Sequence, residues 1–317
     1  MDVNSLKSLL PDAVSARLQA ARANDGAVTL VIDAEGLNAG ERAALEADAR
    51  RALEGREGIA ELRVALTGEK PKRRIIAIGS GKGGVGKSTL TANLAVALSR
   101  RGLKVGVVDA DIYGPSQPRL LASEGKRPRA VEKQLIPIDG PDGVRVLSMG
   151  NLVEPGKSVA WRGPMAAGAL GQLLDADWGD AELLLVDLPP GTGDIQLTMI
   201  QRYRPDGAII ISTPQDLALI DARRAIHLFE HVGVPVIGLV ENMAGYICPH
   251  CGEGSDPFGK GGAEEAASAM NLPFLGRIPL TMHIREASDA GTPPAGSDGP
   301  ESDAFRHVAD QLVRWMG

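Results

Sequence analysis

A glycine-rich segment carries the strongest chemical signal in the sequence. It is Gly81-Lys-Gly-Gly-Val-Gly-Lys-Ser-Thr89, placed between a predicted strand over residues 75–79 and a predicted helix over residues 87–101. Glycines let a backbone curl so that successive N–H groups point at phosphate oxygens, and the positive end of the helix dipole adds to the attraction. Lys87 would place its charge on the β- and γ-phosphates, and the Ser88 hydroxyl could ligate Mg²⁺. The segment predicts a nucleotide-phosphate site built from Gly81, Lys82, Gly83, Gly84, Val85, Gly86, Lys87, Ser88 and Thr89.

Aspartates follow two of the predicted strands and could complete the same site. The segment Asp109-Ala-Asp111 ends a strand over residues 104–109, and Asp187-Leu-Pro-Pro-Gly-Thr-Gly-Asp194 follows an apolar strand. The carboxyl ends of neighbouring parallel strands converge at the ligand crevice of an α/β sheet. Asp187 can therefore hold Mg²⁺ through water, and Asp111 can position an attacking water. A turn or helix-capping role stays open for Asp111, and the sequence assigns no role to Asp194.

The two cysteines of the chain, Cys248 and Cys251, stand in the segment Ile247-Cys-Pro-His-Cys-Gly252. Two thiols at this spacing can share one metal, form a redox pair or remain inert. A structural zinc site needs four protein ligands, and one chain supplies these thiols and at most His250. Two copies of the chain would supply four thiolates, which suit zinc or a [4Fe–4S] cluster. The spacing alone leaves zinc and iron–sulfur equally open.

The elements that must position these residues indicate an α/β fold. From residue 75 onward, aliphatic runs alternate with stretches of helical period, which is typical of a mostly parallel sheet flanked by helices. The predicted strands span residues 75–79, 104–109, 144–149, 183–187, 208–212, 234–240 and 274–278. Predicted helices over 6–23 and 39–53 and strands over 27–32 and 59–66 indicate a small α+β module before it. We expect this module over residues 1–68, a linker over 69–74 and a P-loop ATPase domain over 75–317.

Composition argues against several functional classes. The 317 residues include 34 Lys and Arg against 40 Asp and Glu, which gives a net charge of −6, and aromatic residues make up 3%. Such a chain has no global electrostatic reason to bind nucleic acid or an anionic membrane, and few rings on which bases could stack. No apolar stretch approaches the ~20 residues that span a bilayer, and the N-terminus lacks the layout of a secretory signal. We expect a cytoplasmic protein with neither nucleic acid nor a membrane as partner.

The glycine-rich segment resembles a particular class of P-loop proteins. Residues Lys82 to Ser88 match the pattern Lys-Gly-Gly-x-Gly-Lys-Ser/Thr of the deviant Walker A class. In that class the first lysine crosses a dimer interface and contacts the ATP of the other protomer. The resemblance implies a nucleotide-sandwich homodimer in which Lys82 has this role. Lys82, Lys87 and Asp111 are then the expected catalytic residues.

A longer set of segments resembles one family, the Mrp/ApbC iron–sulfur cluster carrier ATPases. Over about residues 75–316 the similarity lies in Asp109-Ala-Asp-Ile-Tyr-Gly-Pro-Ser116, Trp161-Arg-Gly-Pro-Met165, Asp187-Leu-Pro-Pro-Gly-Thr-Gly-Asp194, Ser212-Thr-Pro-Gln215, Glu241-Asn-Met243 and Cys248-Pro-His-Cys251. The resemblance implies a slow Mg²⁺-dependent ATPase whose Cys248 and Cys251 bridge a labile [4Fe–4S] cluster between protomers. It further implies a cluster-assembly scaffold as donor and apo iron–sulfur proteins as clients. Asp111 falls at switch I, residues 187–194 at switch II, and Asn242 and Pro279 near the adenine.

Other interpretations stay open beside this resemblance. The N-terminal module resembles the small domain that precedes bacterial Mrp-like ATPases, but it lacks the Asp-Pro-Glu segment and the cysteine of that domain, so a degenerate docking module fits equally. A MinD/ParA-like spatial-positioning ATPase on membrane or DNA has the same loop, and a zinc-bridged, nucleotide-switched scaffold has the same thiols. His227 and His231 lie four residues apart on a predicted helix, which is the spacing of two metal ligands. No set of acidic partners accompanies them, so we expect surface or core histidines rather than a metal site. Trp161 and Arg162 could lie at a dimer or switch region, or simply pack.

Overall fold

The computed structural model describes residues 3–24, 26–35, 37, 39–56, 58–67, 73–131, 134–152, 163–191 and 193–317. The chain divides into two compact units, Met1–Arg73 and Arg74–Gly317. Most of the predicted linker lies outside the described residues, and so do Trp161 and Arg162.

The smaller unit is a sheet of order β1-β2-β3 with helices. Its elements are α1 (Val3–Leu9), α2 (Asp12–Ser15), β1 (Leu18–Asn24), β2 (Ala27–Asp33), α3 (Ala39–Leu53) and β3 (Glu61–Thr67). Strand β2 runs antiparallel to β1 and parallel to β3. Alternate residues of β2 are buried because successive side chains of a strand point to opposite faces. They form a core with residues of the helices: Leu6, Val14, Val28, Leu30, Ile32, Leu45, Ala49 and Leu53.

The predicted helix over residues 6–23 is wrong. Helix α1 ends at Leu9, and residues 18–24 form strand β1 instead. Pro11 lacks the N–H that a helix interior needs, so one continuous helix is disfavoured there. Strand β1 pairs with β2 up to Asn24, which lies opposite Ala27. Gly26, just before Ala27, has a φ of +82°, which a tight hairpin turn requires.

The larger unit alternates strands and helices along the chain. Its strands are β4 (Arg74–Gly79), β5 (Val105–Asp109), β6 (Arg129–Val131), β7 (Gln134–Ile136), β8 (Ile138–Asp139), β9 (Arg145–Ser148), β10 (Leu183–Asp187), β11 (Gly207–Ser212), β12 (Val236–Ile247), β13 (Gly254–Ser255) and β14 (Phe274–Leu280). Its helices are α4 (Lys87–Ser99), α5 (Gln117–Leu120), α6 (Gly163–Leu174), α7 (Asp194–Tyr203), α8 (Asp216–His231), α9 (Gly262–Ala269), α10 (Met282–Asp289) and α11 (Pro300–Met316).

The main sheet has the order β13-β12-β11-β4-β10-β5-β9-β8, and β14 also pairs with β12. The pairs from β12 to β9, and β12 with β14, are parallel, whereas the short strands β13 and β8 are antiparallel to their neighbours. Asp187 at the end of β10 lies opposite Ile78 of β4 and Asp109 of β5. The carboxyl ends of these three strands therefore meet at one edge of the sheet. The predicted α/β fold with a mostly parallel sheet is confirmed.

Helices cover both faces of the main sheet. Leu183 and Leu185 of β10 pack in the cluster that includes α4 and α11, whereas Leu184 and Val186 pack in the cluster that includes α6, α7 and α8. This alternation explains why the strand is apolar throughout. The apolar side of α11 is buried in the first cluster through Phe305, Val308, Ala309 and Leu312. In the described part of the chain, no helix combines the length and the apolar character needed to cross a membrane.

Strand β12 is longer than predicted. The sequence predicts a strand over residues 234–240, but β12 continues to Ile247 and there pairs with β13. The extension contains an irregularity, because the register against β14 shifts between Asn242 and Tyr246, and Met243 has a φ of +58°. As a result, Asn242 and the start of the cysteine segment belong to one stretch of backbone.

Candidate functional site

The glycine-rich loop joins the end of β4 to the start of α4. Gly84 and Gly86 have φ values of +78° and +88°, a left-handed conformation that glycine adopts without strain. Gly81 lies against the backbone of α8, since a Cβ at this position would be 2.0 Å from the carbonyl carbon of Asp221. The side-chain amide of Asn242 donates a hydrogen bond to the Val85 carbonyl at 2.8 Å. Conformation and close packing together explain why the loop is rich in glycine.

Lys87 brings together the two aspartates that the sequence predicts for this site. Its ammonium group forms an ion pair with Asp187 and lies 3.9 Å from the nearer carboxylate oxygen of Asp111. The Ser88 hydroxyl is 3.4 Å from the same nitrogen. Asp187 is fully buried, and Lys87 and Asp111 are 6% and 8% exposed. These residues, with Asp109 beside them, are called the P-loop site below.

Asp109 is a buried carboxylate that the sequence does not single out for a role. One of its oxygens accepts hydrogen bonds from the Ser148 hydroxyl at 2.9 Å and from the Gln117 N–H at 3.0 Å. Burial and the neighbouring charge of Asp187 raise the pKa of Asp109 to about 7, and the hydrogen bonds and Lys87 oppose this rise. The P-loop site thus holds three carboxylates, Asp109, Asp111 and Asp187, around one lysine.

Gln117 is a second residue that sequence reasoning missed. Its side-chain amide nitrogen donates to Asp187 at 2.8 Å and to the Ser88 carbonyl at 3.0 Å. A glutamine in a Pro-containing loop carries no sequence signal of burial, since this residue type is mostly exposed. The signal that does exist is indirect: Gln117 follows the segment that begins at Asp109.

Asp111 closes a turn with one carboxylate oxygen and lies near Lys87 with the other. One carboxylate oxygen accepts hydrogen bonds from the N–H groups of Tyr113 and Gly114, both at 3.2 Å, and so closes a turn. The other oxygen faces Lys87. Tyr113, within this turn, is 82% exposed. The segment therefore displays an aromatic side chain at the surface while its aspartate stays in the P-loop site.

Three further residues that the sequence predicts for the nucleotide site are Lys82, Asn242 and Pro279. Lys82 is half-buried, and its ammonium group lies 3.4 Å from the amide oxygen of Gln215, which immediately precedes α8. Asn242 lies opposite Ile278 in the pairing of β12 with β14, so Pro279 follows at the same end of the sheet. Asn242 contacts the glycine-rich loop at Val85, and Pro279 follows the strand partner of Asn242.

The cysteine pair occupies the tip of a hairpin. Strand β12 ends at Ile247 and β13 begins at Gly254, and the Cys248 N–H donates to the Glu253 carbonyl at 3.0 Å. Cys248 is partly exposed, Cys251 is exposed, and both are free thiols. The N–H groups of Cys251 and His250 donate to the Cys248 sulfur and lower the pKa of Cys248. A thiol held in this way favours the thiolate, which is the metal-binding form.

The described residues contain no cluster of three or more His, Cys, Asp or Glu side chains arranged to hold a metal ion. His227 lies on the exposed surface of α8, 3.4 Å from Glu230, and His231 is exposed at the end of the same helix. Asp194 begins α7. Within the described part of one chain, the two cysteine thiols thus do not belong to a set of side chains that could hold a metal ion.

Comparison with known proteins agrees with this arrangement. The family model for NUBPL iron-transfer P-loop NTPases matches residues 72–313. The iron-sulfur cluster carrier protein of Methanocaldococcus jannaschii is 46% identical over 247 residues, which cover 77% of this chain and 85% of the relative. The iron-sulfur cluster carrier protein of Escherichia coli strain K12 is 47% identical over 253 residues, 77% of this chain and 68% of the relative.

Solved structures show the same fold. A nucleotide-binding protein from Archaeoglobus fulgidus in complex with ADP is 40% identical, with a TM-score of 0.62 over 71% of this chain and 89% of that one. The cell division ATPase MinD of Pyrococcus furiosus is 25% identical, with a TM-score of 0.60 over 77% of this chain and 100% of that one. The resemblance to iron–sulfur cluster carrier ATPases is confirmed, and the chain belongs to the family of NUBPL iron-transfer P-loop NTPases.

Proposed function

We propose that this chain is an ATP-dependent carrier that holds a [4Fe–4S] cluster as a homodimer and transfers it to apo-proteins in the cytoplasm. The observation that carries the proposal is the hairpin tip with Cys248 and Cys251, two accessible thiols that, among the described residues, belong to no group of three or more side chains arranged to hold a metal ion. Two such tips supply four thiolates, the ligand set of a [4Fe–4S] cluster. Because each chain would hold half of this set, a change in how the two tips face each other would give acceptor thiolates of an apo-protein access to the cluster, and these would replace Cys248 and Cys251 as its ligands.

The P-loop site fits ATP with Mg²⁺. Asp111 and Asp187 lie next to Lys87, and Asp109 is buried beside them, so carboxyl groups outnumber the lysine and a divalent cation would neutralise the excess negative charge. We assign Ser88 and Asp187 to hold Mg²⁺, and the loop from Gly81 to Thr89 to surround the phosphates. Bound there, the metal ion supplies charge neutralisation on the phosphates.

Hydrolysis by this site should be slow. Asp111 is the residue we assign to position the attacking water, and one of its oxygens is already engaged by two backbone N–H groups. A carboxylate oxygen engaged in this way is not free to orient a water molecule. Lys82 would contribute from the other protomer, and Asn242 and Pro279 would contact the adenine.

One strand links the two sites. Asn242 of β12 holds the Val85 carbonyl of the loop, and the same backbone continues to Cys248. A shift of the loop on nucleotide binding would therefore move the backbone that leads to the hairpin. Met243 lies on this path, and its left-handed φ marks a strained point of the strand. Nucleotide state would then bias the arrangement of the paired hairpins.

Anaerobic reconstitution with iron and sulfide tests this function. We expect one cluster per two chains, a visible absorption band, and a mass in solution that corresponds to a dimer. Cys251→Ala should abolish the band, whereas His250→Ala, which changes the exposed residue next to it, should retain the band. Purified protein that holds zinc at the same stoichiometry, and no iron, would favour the zinc-bridged scaffold. A full cluster on each chain that survives Cys251→Ala would contradict both functions.

A further inference from the structure

The side chain of Gln117 connects the two residues that we assign to Mg²⁺. Its amide nitrogen donates both to Asp187 and to the Ser88 carbonyl, at 2.8 and 3.0 Å. Gln117 is fully buried and begins helix α5. One amide group thus joins the first turn of α4 to the end of β10.

The orientation of this amide is determined by its partners. The Asp187 carboxylate and the Ser88 carbonyl are both acceptors, so only the NH₂ group of Gln117 can face them. Its carbonyl oxygen is then buried, and it has no hydrogen-bond partner in the structure. Buried acceptors are rarely left without a donor, and an orphan of this kind points to a bound water or ion.

The backbone of Gln117 is anchored as well. Its N–H donates to the same Asp109 oxygen that accepts from Ser148. Pro118, which follows it, restricts the chain further because its ring fixes φ. The amide is therefore presented from a fixed backbone, which a positioning role requires.

We propose that Gln117 is a positioning residue for Mg²⁺: its amide nitrogen orients Asp187, and its amide oxygen accepts a hydrogen bond from a water molecule of the metal. Mg²⁺ in proteins usually keeps several waters, and these waters are donors. Groups that orient a metal's ligands typically change metal affinity 10- to 100-fold, by order of magnitude, when they are removed. The inference rests on the nucleotide part of the proposed function.

The test is a titration with Mn²⁺, followed by electron paramagnetic resonance, in the presence of saturating ATP analogue. Gln117→Leu should weaken Mn²⁺ binding roughly 10- to 100-fold while metal-free nucleotide affinity changes little. Gln134→Leu is the control, because the side chain of this β7 glutamine donates to the Asp175 carbonyl, and the Mn²⁺ affinity of this variant should match the wild type. If Gln117→Leu fails to fold, Gln117→Met keeps the length of the side chain and gives the same test.

The possible outcomes separate the two claims. Wild-type protein that binds no nucleotide would overturn the proposed function itself. Wild-type protein that binds the nucleotide with Mn²⁺, together with a folded Gln117 variant of unchanged Mn²⁺ affinity, would overturn only the role of Gln117. An equal loss of metal-free nucleotide affinity in the variant would also contradict a role directed at the metal.

Discussion

Replacing Lys87 with methionine removes the positive charge that faces the buried carboxylates of the P-loop site. Methionine has nearly the length and the helix propensity of lysine, so α4 should persist. What remains is a fully buried Asp187 whose ion-pair partner is gone, with Asp109 and Asp111 beside it. Breaking a buried ion pair by removing one partner typically lowers the free energy of unfolding by about 3–5 kcal/mol. We expect a loss of this order for Lys87→Met at about pH 8 in the absence of nucleotide.

The loss should depend on pH in a defined direction. Lys87 is one of the groups that hold down the pKa of Asp109, so this pKa should rise further above 7 in the variant. A carboxyl whose pKa is higher in the folded chain than in the unfolded chain destabilises the fold as pH rises through that interval, and the effect vanishes at acid pH where both states are protonated. The difference between variant and wild type should therefore shrink as the pH falls from about 8 to about 6, and should change little below that, where Asp109 is protonated in both folded proteins.

Urea unfolding followed by tryptophan fluorescence measures this loss selectively. All three tryptophans, Trp161, Trp178 and Trp315, belong to the unit Arg74–Gly317, so the smaller unit does not contribute to the signal. The double variant Lys87→Met/Asp187→Asn removes the stranded charge and should regain most of the stability. Equal stability of Lys87→Met and the wild type at about pH 8, or no recovery in the double variant, would refute the reasoning.

Three further predictions follow from the geometry of the two sites. Gly81→Ala should lower the free energy of unfolding by about 1–3 kcal/mol or more, because the new Cβ would collide with the backbone of α8. Gly83→Ala is the control: its Cβ would have its nearest contact at 3.9 Å, so the free energy of unfolding should change by less than about 0.5 kcal/mol. Urea unfolding of both variants measures the difference. Because the pKa of Asp109 is raised to about 7, the free energy of unfolding of the wild type should fall by up to about 1.4 kcal/mol per pH unit as the pH rises from about 4 to about 7. Asp109→Asn should remove this fall, and the same pH dependence in the variant would argue against the raised pKa. Iodoacetamide at about pH 7 should alkylate Cys248 faster than the more exposed Cys251, because the pKa of Cys248 is lowered. Peptide mass spectrometry measures the two alkylation rates, and equal rates would contradict the prediction.

Residues close in sequence, or at strand ends, were the predictable part of the P-loop site. The glycine-rich segment lies between its strand and helix within a few residues, and the aspartates follow apolar strands whose carboxyl ends must converge. Gln117 and Ser148 were not predictable, because their positions depend on how the segment after Asp109 returns to the sheet. Ser148 reaches Asp109 from 39 residues away, through the pairing of β5 with β9.

The fold shows the same division between local and distant causes. The parallel strands were predictable from their unbroken apolar runs, since helices cover both faces. The helix expected over residues 6–23 failed because pairing with β2 decides the conformation of residues 18–24. The extension of β12 beyond residue 240 also depends on partners, β13 and β14, that the sequence around Gly245 does not reveal.

Native mass spectrometry of the anaerobically reconstituted protein tests the shared cluster most directly. If Cys248 and Cys251 of two chains hold one cargo, the cluster-bound species should have the mass of two chains plus a single [4Fe–4S] cluster, and cluster-bound single chains should be absent. A single chain that carries a complete cluster, or a dimer that carries two, would contradict the proposal.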